Sequence, residues 1–258
     1  MYFSVLASGS GGNVYYVGTA QTRILIDAGL SCRELIRRLN AVGVDSMGID
    51  GIVITHEHSD HIKGAGPISR HFDTPVFINT PTLNKSIKRL GNIPQLNMIE
   101  TGQTIEINDI CVETFPKCHD AADPMGIIVS SNGSRLGLVT DLGRSTRLVE
   151  DRLKRCKGLI IEFNHDTDML SDGTYPLNLQ RRIKGPEGHL SNQQAGELLK
   201  KLSHENLKYV VLAHLSSENN LPEKALQVAR EVIAECRLAD RTDIQLSSQD
   251  IPMQLMEI

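Results

Sequence analysis

Short apolar runs alternate with polar segments along the chain, and several of these runs end directly at a histidine or an aspartate. The run at 51–54 reads as a buried strand, and His56, His58, Asp60 and His61 follow it within a few positions. His56 and His58 point to the same side of an extended strand end, because successive side chains alternate faces. Two imidazoles on one side form half of a tetrahedral zinc-type shell, so this turn predicts a metal site.

The rest of the pattern predicts an α/β protein. Hairpin-linked strands in the N-terminal part and strand-then-helix order in both halves indicate two mixed β-sheets face to face, with helices on both outer faces. No linker-like stretch or internal repeat is present, so one domain over 1–258 is expected. The predicted strands are 3–7, 14–17, 23–27, 51–54, 76–78, 103–108, 111–115, 126–130, 135–140, 158–163, 209–213 and 244–246. The predicted helices are 32–42, 62–71, 81–90, 145–155, 191–202 and 222–236, and 164–188 reads as a long polar segment.

A glycine-rich loop, Ser-Gly-Ser-Gly-Gly-Asn, lies at 8–13 between two predicted strands. It matches neither common phosphate-binding fingerprint, and a strand follows it where those motifs have a helix. A tight hairpin is therefore favoured. Backbone N–H groups of such a loop can still face an anion, which leaves Ser10 and Asn13 as candidate substrate contacts.

Composition narrows the class of protein. Of 258 residues, 40% are hydrophobic and 22% are charged, as in an ordinary globular domain. The net charge of −4 argues against broad electrostatic binding of nucleic acid. It is still compatible with a local basic surface at the rim of a binding site. Five irregularly spaced cysteines without a C-x-x-C motif argue against a disulfide framework. No basic region precedes an apolar stretch at the N-terminus and no apolar run reaches membrane length, so we expect a cytoplasmic protein with no membrane contact.

Three further residues of ligand type, His119, Asp141 and His214, each follow an apolar strand. Together with the motif H-x-H-x-D-H they resemble the metallo-β-lactamase superfamily and imply its αββα sandwich. The resemblance implies two metal ions, one held by His56, His58 and His119, the other by Asp60, His61 and His214, with Asp141 bridging both. It also implies that Asp27, at the end of an apolar strand, braces the histidine turn, although an aspartate there can equally cap the next helix.

The metal identity follows in part from the second histidine of the motif. Superfamily members that use iron pairs for redox work have glutamate where His58 stands, so hydrolysis with zinc is expected. Manganese or iron(II) also suits a shell with two carboxylates. Two ions about 3.5–4 Å apart can hold a bridging hydroxide and clamp a phosphoryl oxygen, which gives the expected hydrolytic chemistry.

The substrate is indicated by two more stretches. Gly188-His189-Leu190-Ser191 resembles the G-H-S stretch of tRNase Z-type phosphodiesterases, with Leu190 as an additional residue. The stretch 162–166 and the glycine loop resemble the YycJ (WalJ) branch of the superfamily, whose expected activity is 5′-to-3′ exonuclease action on DNA. His189 and His165 would then contact or protonate the substrate phosphate. Asp60 is a further candidate catalytic residue, and Asn164 a candidate substrate contact.

Other functions stay open at this point. A small cyclic phosphodiesterase or a thioester hydrolase would use the same metals, and a non-catalytic regulatory scaffold could keep the fold. The basic stretch 181–184 could contact a nucleic-acid backbone or form a solvated face. The residues favour neither DNA nor RNA nor a small phosphodiester, and they imply no oligomeric state.

Overall fold

The computed structural model describes residues 1–258. Its strands are β1 Tyr2–Ala7, β2 Val14–Gly18, β3 Arg23–Ile26, β4 Gly51–Val53, β5 Val76–Asn79, β6 Leu96–Ile99, β7 Thr104–Ile107, β8 Ile110–Pro116, β9 Met125–Ser131, β10 Ser134–Val139, β11 Gly158–Glu162, β12 Tyr209–Ala213, β13 Asp243–Leu246 and β14 Met256–Glu257. Its α-helices are α1 Cys32–Ala41, α2 Ser59–Ile62, α3 Ala65–Phe72, α4 Thr80–Leu90, α5 Arg147–Leu153, α6 Thr167–Asp172, α7 Leu177–Lys184, α8 Asn192–Leu202 and α9 Pro222–Glu235. A short 3-10 turn spans Ser46–Gly48.

The strands form two mixed seven-stranded sheets, with orders β14-β1-β2-β3-β4-β5-β6 and β13-β12-β11-β10-β9-β8-β7. In the first sheet β1, β2 and β3 are antiparallel neighbours, whereas β3 to β6 run parallel. In the second sheet β10 to β13 run parallel and β7 to β9 antiparallel. Two mixed sheets with helices confirm the predicted fold class.

The chain forms two compact units. Unit 1 comprises Met1–Pro116, Ala121–Ser134 and Ser247–Ile258, and unit 2 comprises Lys117–Asp120 and Arg135–Leu246. The core of unit 1 is apolar: Leu25 and Ile52 on the parallel strands are fully buried, as is Leu35 of α1. That the whole chain, 1–258, forms one domain stays a prediction.

Local signals explain several elements. The loop at 8–13 joins the antiparallel strands β1 and β2, as the hairpin prediction required. Ser191 caps α8 in a reciprocal capping box with Gln194, which satisfies N–H groups that the first helical turn leaves unpaired. Asn108 adopts a φ of 52° between β7 and β8, a conformation that asparagine tolerates better than most residues.

Two predicted elements differ from the structure. The helix expected at 62–71 is two helices, α2 and α3, because the Gly64 N–H donates to the Ala28 carbonyl at 2.7 Å and so leaves the helical hydrogen-bond pattern. The polar segment 164–188 contains α6 and α7. Asp166 caps α6 by accepting from the Met169 N–H, a signal the polar composition obscured. No helix of the protein combines the length and the apolar character that crossing a bilayer requires.

Candidate metal centre

The predicted histidine turn lies in unit 1 and follows β4 directly. His58 precedes α2 with extended backbone angles, φ −61° and ψ 146°, so the chain is still extended at the second histidine of the motif. The ring of His56 lies 4.7 Å from that of His58 and 4.0 Å from that of His61, measured between centroids. His56 and His61 are fully buried, and Asp60 Oδ2 lies 3.4 Å from His61 Nε2. The structure therefore brings these four predicted ligands into one cluster.

Asp27 contacts this cluster through its carboxylate. Its carboxylate accepts from the Thr55 N–H at 2.8 Å and the Thr55 hydroxyl at 2.7 Å, and it lies 2.6 Å from His61 Nδ1. A carboxylate at Nδ1 orients the imidazole ring and leaves Nε2 as the nitrogen available to a metal ion. His56 has a comparable contact, 3.0 Å from its Nδ1 to the Thr55 hydroxyl. This donor set fits a divalent metal ion.

The glycine loop contacts the same cluster through Asn13. The Asn13 side-chain amide is fully buried, and its Nδ2 lies 3.1 Å from Asp60 Oδ2 and 3.1 Å from His61 Nε2. Its Oδ1 accepts from the Gly9 N–H at 3.0 Å. These bonds place Asn13 against two of the predicted ligands, while Ser10 is exposed at the tip of the loop. The substrate contacts expected of Asn13 and Ser10 stay predictions.

Unit 2 contains the other three predicted ligands. Asp141 and His214 lie just beyond the ends of β10 and β12, and both have left-handed backbone angles, φ 54° and 56°. Asp141 Oδ1 lies 3.9 Å from His119 Nε2 and 3.5 Å from His214 Nδ1. Non-glycine residues with positive φ cost free energy and concentrate at functional sites. Asp27 in unit 1 shares this conformation, with φ 58°.

Glu162 contacts three other residues of the unit 2 cluster. Because β11 lies between β10 and β12 in parallel register, with Glu162 opposite Ala213, its side chain reaches both neighbouring strand ends. Its Oε1 accepts from the Asp141 N–H at 3.0 Å and lies 2.9 Å from His189 Nδ1 and 2.8 Å from His214 Nδ1. Sequence reasoning missed this role, although a glutamate ending an apolar strand was a signal for it.

Burial and charge set the protonation of this cluster. Burial raises the pKa of Glu162, but the charges and hydrogen bonds of His189 and His214 outweigh it, so the pKa is lowered and the carboxylate is ionised. Burial also opposes charge on His189, yet the Glu162 carboxylate dominates and raises the pKa of His189 to about 9. Burial lowers the pKa of His119 to about 4. At neutral pH His119 is therefore neutral, the form that can bind a metal.

The remaining predicted site residues lie on the loops after β11 and before α8. The His189 ring is 5.3 Å from the His119 ring and 5.1 Å from the His214 ring. The Asn164 amide donates to the His214 carbonyl at 2.9 Å, so it holds the backbone of a predicted ligand. His165 is buried, its Nδ1 makes no hydrogen bond, and burial lowers its pKa to about 4.

The donor types in both units suit divalent cations. In unit 2, Asp141, Glu162, His189 and His214 offer ligand atoms within 4.8 Å of one another. Imidazole nitrogens with carboxylate oxygens are ligands for zinc, manganese and iron(II) alike, so the residues fit a divalent metal without selecting one. A strong carboxylate partner at His189 also makes that side chain suitable for proton transfer.

Comparison with known proteins gives the family. The chain matches the model of the beta-lactamase superfamily domain over residues 22–215. It is 39% identical to exodeoxyribonuclease YycJ of Bacillus anthracis, covering 91% of this chain and 90% of that protein. It is 34% identical to exodeoxyribonuclease WalJ of Streptococcus pneumoniae, covering 99% and 97%.

Solved structures agree on the fold. The metallo-β-lactamase fold protein YhfI of Bacillus subtilis matches with a TM-score of 0.73 at 14% identity, covering 98% of this chain and 99% of that one. A diphosphatase of the PhnP family matches with a TM-score of 0.68 at 18% identity, covering 100% and 97%. The fold, the ligand-type clusters and these relatives agree, and the chain belongs to the metallo-β-lactamase superfamily as a YycJ-like member.

Proposed function

We propose that this protein is a metal-dependent exodeoxyribonuclease that removes nucleotides from DNA in the 5′-to-3′ direction in the cytoplasm. The observation that carries the proposal is the near full-length similarity to two proteins named exodeoxyribonuclease. The clusters of ligand-type residues in both units support it, because metal-assisted phosphodiester hydrolysis requires side chains that hold the ions.

We propose further that two divalent ions, most simply zinc, bind to the seven residues predicted above. His56, His58 and His119 would hold one ion, Asp60, His61 and His214 the other, and Asp141 both. The short contacts from Asp27 to His61 and from Glu162 to His214 support this assignment, since ligating histidines usually have such partners. Bound there, the ions would lower the pKa of a water molecule and neutralise charge on the phosphoryl oxygens.

A residue of the chain itself would supply the proton that the leaving group needs. Hydrolysis breaks a P–O bond, and the departing oxygen needs a proton. His189 is partly exposed, with 22% of its side chain accessible, and Glu162 at Nδ1 holds the ring so that Nε2 can donate that proton. A positioned imidazole contributes typically about 10²–10⁴-fold in rate as a general acid. His165 lies on the neighbouring loop, beside the same Glu162 charge.

A basic helix supplies a candidate contact with the DNA backbone. Arg181, Arg182 and Lys184 of α7 are exposed in a protein of net charge −4. The Arg182 Nε donates to Asp120 Oδ2 at 2.6 Å, and Asp120 adjoins the proposed ligand His119. Arginine pairs readily with phosphate oxygens, so α7 is the proposed guide for the strand.

The test is a digestion assay on the purified protein after elemental analysis of its metal content. Labelled duplexes carrying 5′-phosphate or 5′-hydroxyl ends should be shortened from the 5′ end, and a chelator should abolish this activity. Bis-p-nitrophenyl phosphate and a glutathione thioester separate phosphoryl from acyl chemistry. Thioester hydrolysis without DNA cleavage would support the thioester hydrolase, and metal binding without any turnover would support the regulatory scaffold.

A further inference from the structure

Asn13 is joined to both ligand-type residues at the start of α2. Its backbone N–H donates to the Asp60 carbonyl at 2.7 Å, and its side-chain nitrogen lies 3.1 Å from both Asp60 Oδ2 and His61 Nε2. The Asn13 carbonyl in turn accepts from the Gly29 N–H at 2.9 Å. The position of Asp60 and His61 therefore depends on where the glycine loop holds Asn13.

The glycine loop is fixed by a residue far away in the sequence. Gln249 Oε1 accepts from the Gly11 N–H at 2.7 Å, and Gln249 Nε2 donates to the Gly12 carbonyl at 3.0 Å. The loop fits closely around this amide, because a Cβ at Gly9 would lie 2.8 Å from Gln249 Oε1. Gly9 and Gly12 have φ of 141° and 156°, which only glycine adopts readily.

Gln249 is itself held in place. The buried Arg38 of α1 donates to the Gln249 carbonyl at 2.6 Å and to the Leu6 carbonyl, at the end of β1, at 2.8 Å. The Ser8 N–H donates to the Ser248 carbonyl at 3.2 Å. Arg38 thus ties the segment before β14 to the strand that leads into the glycine loop.

We propose that Gln249 is a positioning residue for the metal centre: by clamping the glycine loop it fixes Asn13 and, through Asn13, the ligands Asp60 and His61. This inference rests on the proposed metal-binding role of Asp60 and His61. A glycine-rich loop pays a large entropy cost on ordering, and the two hydrogen bonds from one side chain offset part of that cost. Without the clamp the loop samples more conformations, and the ligands are less well prepared for the ion.

The test compares Gln249→Ala and Gln249→Glu with the unaltered protein in direct binding of Zn²⁺ and in the absorption spectrum of the Co²⁺-loaded form. Bracing residues of metal sites typically contribute about 10- to 100-fold in affinity, and we expect a loss near the lower end for Gln249→Ala. Gln249→Glu keeps the acceptor for Gly11 but sets a carboxylate oxygen against the Gly12 carbonyl, where two acceptors repel, so Zn²⁺ affinity should fall in this variant as well. The Co²⁺ spectrum should change in Gln249→Ala, and the Gly11 amide should exchange faster.

Gln227→Ala is the matched control, because Gln227 is exposed on α9 and bonds only the nearby Glu231. Unchanged Zn²⁺ affinity and an unchanged Co²⁺ spectrum in Gln249→Ala would overturn the inference. If the unaltered protein binds neither ion, the proposed metal site fails instead. If Gln249→Ala does not fold, Gln249→Glu provides the comparison, and it would contradict the inference by binding Zn²⁺ like the unaltered protein.

Discussion

His61 Nδ1 lies 2.6 Å from a carboxylate oxygen of Asp27, and both side chains are buried. The same carboxylate accepts two bonds from Thr55, so it joins the end of β3 to the turn that follows β4. A buried carboxylate with these partners orients the imidazole and increases its basicity as a ligand. The bracing role predicted for Asp27 is thus compatible with its contacts.

We expect Asp27→Ala to weaken Zn²⁺ binding by about 10- to 100-fold, because His61 would lose the partner that fixes its ring. Titration against a chelator of known affinity measures the change. Asp45→Asn is a suitable control, since Asp45 is an exposed cap of the 3-10 turn. Equal affinity in Asp27→Ala and the unaltered protein would show that Asp27 does not prepare His61 for the metal ion.

His189→Ala should lower kcat on duplex DNA by about 10²–10⁴-fold while leaving the metal content unchanged. The reason is that His189 is proposed to protonate the leaving oxygen and is not among the proposed ligands. Single-turnover digestion and elemental analysis measure the two quantities on one preparation. His71→Ala, at an exposed position of α3, is the control. Loss of metal in parallel with rate would make His189 part of the metal shell.

Gly29→Ala should destabilise unit 1 and remove metal binding. A Cβ at Gly29 would lie 1.6 Å from the Asp60 carbonyl oxygen and 2.6 Å from the Asn13 nitrogen, so the backbone around Asp60 must move. Overpacking of this kind typically costs about 1–3 kcal/mol. Urea denaturation and Zn²⁺ titration are the measurements.

Gly43→Ala serves as the control for that substitution. Gly43 has a φ of 76°, so alanine adds backbone strain there, but its Cβ would meet nothing within 4 Å. We expect some loss of stability with full metal affinity. Equal Zn²⁺ affinity in Gly29→Ala and Gly43→Ala would contradict the prediction.

The histidine turn was predictable because its chemistry is local: the four ligand-type residues between His56 and His61 follow one strand. His119, Asp141 and His214 were recognisable as ligand-type residues because each follows a predicted strand. Glu162 was not assigned, because its role depends on β11 lying between β10 and β12. Gln249 was beyond sequence reasoning for the same physical reason, since its partner Gly11 is 238 positions away in the chain. Helices α6 and α7 were hidden by the polar composition of 164–188.

Acid should weaken the ion pairs that Glu34 makes within α1. Hydrogen bonds from Arg37 and then Arg38 lower the pKa of Glu34 to about 2. A carboxyl whose pKa is lower in the folded than in the unfolded state stabilises the fold above its unfolded pKa of about 4.5. That contribution is lost as the pH falls from about 4.5 through about 2. Glu34→Gln should therefore be less stable at pH 7, by roughly 0.2–1 kcal/mol.

The two proteins should converge in stability as the pH approaches 2, which urea denaturation at several pH values can follow. Glu223→Gln, at an exposed position in the first turn of α9, controls for removal of a charge. A stability difference between Glu34→Gln and the unaltered protein that stays constant from pH 7 to pH 2 would contradict the assignment.

Arg182→Glu should weaken DNA binding and flatten its dependence on salt. Each phosphate contact contributes a slope of about 0.9 in the logarithm of affinity against the logarithm of salt concentration for duplex DNA, so loss of one contact reduces the slope by about that amount. Arg89→Glu is a matched control, because Arg89 is also an exposed residue in the last turn of a helix, α4, and the substitution makes the same change in net charge. Fluorescence anisotropy with a labelled duplex, at four or more salt concentrations, measures both quantities. Equal slopes for the two substitutions would mean that α7 is a solvated face and that the strand is guided elsewhere.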